Sequence, residues 1–179
     1  AARATDAPKP VATVAPTERP TARPTNTPVP TPAPTRTPAT INERIEAIGQ
    51  AGCGKGFVSS DYTLVSKQAR VLCEVPENFT NSLTTAGTID DLVKVSQNIF
   101  SAGDIDVLLM QFRIDLKDQY GNTSKGNVFV FRVTKALASK VNWAGVNRKD
   151  FGKLIANGVD GSSVVVHPAV REWWDGYLK

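Results

Sequence analysis

Between Leu108 and Leu116 apolar side chains recur at every second position, with Leu109, Gln111, Arg113 and Asp115 in the alternate places. A period of two sends successive side chains to opposite faces of an extended chain, so this run predicts a strand with one buried and one wetter face. The turn-forming segment Asp118-Gln119-Tyr120-Gly121-Asn122 follows. Alternation then resumes through Phe129, Phe131 and Val133, which makes the pair an antiparallel hairpin. Two shorter strands are predicted over 57–65 and 69–75. In the second, Val71, Cys73 and Val75 alternate with Arg70, Leu72 and Glu74, and Pro76 ends the run. Val164-Val165-Val166 is too apolar for a loop and reads as a further short strand.

Elsewhere the period is helical. Ile41, Ile45 and Ile48 share one face of a helix over 41–50. Thr40 is its expected N-cap, with Glu43 completing a capping box, and the Gly-rich run 52–56 stops it. Thr88 is expected to open a second helix, through a capping-box pattern ending in Asp91. Leu92, Val95 and Ile99 form its stripe and Gly103 its end. Residues 134–141 and 148–156 read as short helices. The order lacks regular βαβ alternation, so the expected class is α+β: a small antiparallel sheet with helices packed on one face.

Composition divides the chain before this domain begins. Ten of the 12 prolines and ten threonines precede residue 41, leaving few apolar side chains there to offset the entropy of ordering. Residues 1–40 are therefore expected to be a disordered Thr/Pro-rich stalk, and 41–179 a single domain large enough to bury its own core. Partly in polyproline-II form, at about 3.1 Å per residue, the stalk would reach on the order of 100 Å.

The net charge of +4 loses its meaning once partitioned. The stalk holds five of the 21 basic and two of the 17 acidic residues, leaving sixteen basic against fifteen acidic in the domain. Nucleic-acid binding needs a concentrated cationic surface, so no nucleic-acid partner is expected. No run of eighteen or more apolar residues is present, and a membrane enters only through a missing N-terminal anchor. The chain opens at Ala1 without a signal peptide, as expected of a form whose targeting segment has been removed. The stalk alone implies a location outside the cytoplasm, so the protein is expected to be secreted or anchored at a bacterial cell surface. In such a compartment Cys53 and Cys73 are expected to pair as a disulfide; two buried free thiols are the alternative. With His167 the only histidine and no third cysteine, neither a metal nor another cofactor is expected.

The turn 118–122, then Val141-Asn142-Trp143 and Val166-His167-Pro168-Ala169, resemble a small uncharacterised α/β domain of bacterial lipoproteins and other exported proteins. The resemblance spans about residues 41–172. It implies location and fold, and supplies no catalytic residues.

Candidate chemistry is thin. Gly49 to Lys55 satisfies G-x-x-x-x-G-K, but Gly56 stands where a phosphate loop needs Ser or Thr, and a helix precedes it; it reads as a helix terminator. Asp104, Asp106, Asp115 and Asp118 bracket one strand at opposite ends and read as solvated strand ends. Asn78-Phe79-Thr80 and Asn122-Thr123-Ser124 are formal glycosylation sequons without meaning in a bacterial product. His167, near Ser162, Ser163 and Asp160, is the alternative catalytic residue of an envelope hydrolase. Trp173 and Tyr177 share a helical face beside Trp174, so these three rings are the expected contact with a protein partner or sugar, unless the terminal helix buries them. The expected function is that of a non-enzymatic cell-envelope binding or interaction module for an envelope protein or glycan, displayed on the stalk. The alternatives are the hydrolase and a structural accessory domain of a secreted assembly.

Overall fold

The computed structural model describes residues 39–75 and 81–179. The stalk up to residue 38 and the Asn78 sequon lie outside the described residues. The first helix, α1 (Ile41–Cys53), opens as its sequence dictates: the Thr40 hydroxyl accepts from the Glu43 amide at 3.3 Å, and the Glu43 carboxylate accepts from the Thr40 amide at 2.6 Å. Two donors that a helix start leaves without partners are thereby satisfied. A short 3-10 turn (Gly54–Gly56) leads into β1 (Phe57–Thr63) and β2 (Gln68–Glu74). Then come α2 (Asn81–Ile99), β3 (Val107–Lys117), β4 (Thr123–Thr134), α3 (Lys135–Ala138), α4 (Arg148–Ala156), β5 (Ser163–Val166) and α5 (Arg171–Leu178).

The five strands form one sheet in the order β1-β2-β3-β4-β5. The class is the expected one, α+β. The sheet itself is mixed: β2 and β3 run parallel, and the other three pairings are antiparallel. The cause lies in α2. A parallel pair needs a long crossover, and the 19 residues of this helix carry the chain back to the starting end of the sheet.

The helix also starts seven residues before Thr88. Thr88 is not its cap but a buried mid-helix residue, whose hydroxyl donates to the Thr84 carbonyl at 2.8 Å. Thr84 and Thr85 are buried too. A stretch rich in Ser, Thr and Gly has weak intrinsic helix propensity, and packing overrides it here.

The alternation in the strands sorts the core. Ala69, Val71 and Cys73 of β2, Leu108, Met110 and Phe112 of β3, and Phe129, Phe131 and Val133 of β4 all point to one side. There they meet Ile45 of α1, Ile89, Leu92, Val95 and Ile99 of α2, and Phe151 and Ile155 of α4. Close approach of α1 depends on the glycines of the loop-like motif. A Cβ on Gly49 would stand 2.6 Å from a ring carbon of Phe57, and one on Gly52 would collide with Val95. Their role is packing.

Cys53, the last residue of α1, is disulfide-bonded to Cys73 on β2, with Cα atoms 6.1 Å apart. The bond ties the first helix to the sheet across a sequence separation of 20. Closing a loop of that length restricts the unfolded chain by about 3 kcal/mol. Replacing both cysteines by alanine is therefore expected to lower stability by about 3 kcal/mol, read as a lower urea midpoint. Reductant should shift the wild-type midpoint similarly and leave that of the variant in place.

Candidate functional site

The residues that could form a hydrolytic centre do not converge. The His167 ring uses Nδ1 to accept from the Ala169 amide at 3.1 Å, capping the turn Pro168–Val170. Its backbone amide donates to the Val128 carbonyl at 2.9 Å. Ser162 is buried, and its hydroxyl accepts from the Thr134 amide at 3.2 Å. Asp160 accepts from the Lys140 ammonium at 2.6 Å. Ser162 and Asp160 share one turn, tied to β4 through Thr134, whereas His167 caps another, and no hydrogen bond among the described residues joins the imidazole to either. The carboxylates bracketing β3 are equally local: Asp104 pairs with Lys67 at 2.8 Å, and Asp118 accepts from the amides of Tyr120 and Asn122, both at 2.8 Å, within the hairpin turn.

The terminal aromatics separate into two roles. Trp174 is 3% exposed and packs against the stacked pair Phe129 and Phe131, with ring centroids at 5.9 and 5.7 Å. It belongs to the core. Trp173 and Tyr177 are half-buried along α5. Burial raises the Tyr177 hydroxyl above the ordinary phenol range; the nearby Arg148 opposes the rise, and Asp90, its ion-pair partner, adds a smaller contribution in the same direction as burial.

A feature not singled out in the sequence is the other face of the sheet. The α1, α2, α4 and α5 helices contact one another on the core side. The register places two rows of residues across the opposite face. One runs Asp61, Arg70, Leu109, Arg132, Ser163; the next runs Ser59, Leu72, Gln111, Val130, Val165. Leu72, Leu109 and Val130 are half-buried, and Val165 is 67% exposed. Apolar residues at the wetter positions of several adjacent strands were the available signal. Among the described residues no aromatic side chain stands on this face.

Charge frames the apolar stripe. Glu74 accepts from Arg113 at 2.7 Å and from Lys125 at 2.6 Å, and these two cations hold its carboxyl below the usual range. Asp61 and Arg70 face each other at 3.5 Å on neighbouring strands. At the far end of β4, Arg132 donates to the Gly161 carbonyl. Beside that turn lies an open groove of about 400 Å³ bounded by α3, the loop before α4, α4 and the turn Val159–Gly161.

Two outcomes test this reading. Trp174→Ala is expected to cost about 3–5 kcal/mol in urea unfolding, and Trp173→Ala clearly less. For Glu74 the folded pKa lies below the unfolded one, so the stability it supplies is complete above the ordinary glutamate range and is lost as pH falls through the lowered value. Glu74→Gln should therefore lose stability less steeply than wild type when unfolding is followed from about pH 5 downward. No family model matches this chain, and neither does any curated protein or solved structure.

Proposed function

We propose that this chain is an extracytoplasmic interaction module that takes a protein partner on the open face of its sheet. The observation that carries the reading is the group of apolar residues Leu72, Leu109, Val130 and Val165 on a face that no helix covers among the described residues. A face of this composition offers a partner apolar area to remove from water, while Arg70 and Arg132 at its margins favour an acidic rim opposite. Stacking on a sugar ring calls for an exposed aromatic, which this face lacks, so a protein is favoured over a glycan. At about 4.8 Å between strands and 3.3 Å per residue, the face measures roughly 20 Å on a side. That is the size of a transient contact.

Location outside the cytoplasm rests on the disulfide, which suits an oxidising compartment, and on the Thr/Pro-rich composition before residue 41. The resemblance to exported α/β domains points the same way. No second reading draws comparable support, since His167 is engaged in capping a turn and Trp174 in the core.

The test uses full-length chain as bait in cell-envelope extract, beside a Val130→Glu, Val165→Glu double variant and a Trp173→Ala variant. Both valines point away from the core, so the double variant is expected to unfold at nearly the wild-type urea concentration. The reading expects a partner held by wild type and by Trp173→Ala and lost from the double variant. Equal recovery by the double variant would remove the sheet face as the site.

A further inference from the structure

The β3–β4 hairpin outruns the rest of the sheet. β2 last pairs with β3 at Glu74 and Arg113, and β5 last pairs with β4 at Val166 and Phe129. β3 and β4 stay paired beyond that level, from Ile114 with Gly126 to Lys117 with Thr123. At about 3.3 Å per residue, the ribbon reaches roughly 13 Å past its neighbours before its turn begins. Its base is held. A Cβ on Gly126 would stand 2.5 Å from a methyl carbon of Leu116, and Leu116 and Ile114 both pack against the core. Beyond that base, every residue from Lys117 to Lys125 is exposed.

The turn at the end is fixed by one side chain. The Asp118 carboxylate accepts from the amides of Tyr120 and Asn122, both at 2.8 Å, and from the Asn122 side-chain amide at 2.9 Å. The Asp118 amide donates to the Asn122 carbonyl at 2.9 Å, and Gly121, at φ 85°, donates to the Asp118 carbonyl at 3.1 Å. These donors, the Asn122 side chain foremost, hold the Asp118 carboxyl below the usual range. On this fixed backbone stands Tyr120, 80% exposed, the one aromatic residue among the described residues that lies mainly in solvent.

A convex tip cannot enclose a small molecule, whose sites are concave. A sugar needs polar groups directed around the ring, and Asp118 and Asn122 are already engaged with each other. A projecting, pre-ordered tyrosine instead fits a hollow in another protein. It offers a large contact area with little conformational freedom to lose, and tyrosine is enriched among the residues that dominate protein interfaces. We propose that the β3–β4 hairpin is a contact arm whose tip enters a cleft in a folded protein, with Tyr120 as its anchor. The arm is separate from the open sheet face, and either can fail without the other.

The experiment places the photo-crosslinking amino acid p-benzoylphenylalanine at position 120 of the full-length protein. The protein is irradiated in cell-envelope extract with unmodified protein added as competitor. The proposal expects a crosslink to a protein that wild type suppresses saturably. Tyr120→Ala should need at least tenfold more competitor for the same suppression. Asp118→Ala keeps the ring and releases the turn, so it should need severalfold more. Both substitutions lie in the exposed turn, and their urea midpoints should stay near that of wild type. No crosslink, a crosslink that wild type does not suppress, or one to a glycan would each overturn the proposal. So would equal suppression by Tyr120→Ala. Equal suppression by Asp118→Ala would overturn the fixed tip as the basis of the contact.

Discussion

The structure depends on burying one side of β3 and β4 and not the other. Leu108, Met110 and Phe112 on one strand, and Phe129, Phe131 and Val133 on the next, stand on a single face because extended chain alternates its side chains. Once these rings and branched chains must leave water, every helix of any length has to lie on that side. The remaining contacts elaborate this demand: Trp174 joins the phenylalanines from α5, and the bond between Cys53 and Cys73 holds α1 against β2. Among the described residues no helix lies on the opposite face.

How much of this was legible in the sequence follows from the range of the interactions involved. The Thr40–Glu43 capping box is local, and the helix begins where those residues place it. The same holds for α4, whose expected span 148–156 is the observed one, with Asn147 accepting from the amides of Lys149 and Asp150. The period of β3 and β4 is also local, and so their buried faces were readable. The start of α2 was not, because Thr84, Thr85 and Thr88 become helical through burial against distant residues. The parallel pairing of β2 with β3 was hidden for the same reason, since crossover direction depends on where the intervening helix packs.

Candidate sites were less legible than the fold. Leu72, Leu109, Val130 and Val165 lie on four different strands, and only the register brings them into adjacent rows. Asp160 and Lys140 are 20 residues apart, and nothing local marks them as partners. The aromatics at the end of the chain were conspicuous by type, yet ring type says nothing about burial. Trp174 and Trp173 are neighbours in sequence, one inside the core and the other at its margin. Chemistry assembled from several elements has to be read from the assembled chain.

Single-sided burial is also what makes an interaction role physically reasonable. A sheet covered on one face presents an apolar stripe whose removal from water awaits a second molecule. The most direct measurement is paramagnetic relaxation of methyl signals by a soluble, neutral gadolinium chelate in the free full-length protein. The account predicts strong relaxation at Leu72, Val130 and Val165 and little at Val71, Leu108 and Val133. Protection of Val130 and Val165 to the level of the core methyls would contradict it, because the face would then already be covered.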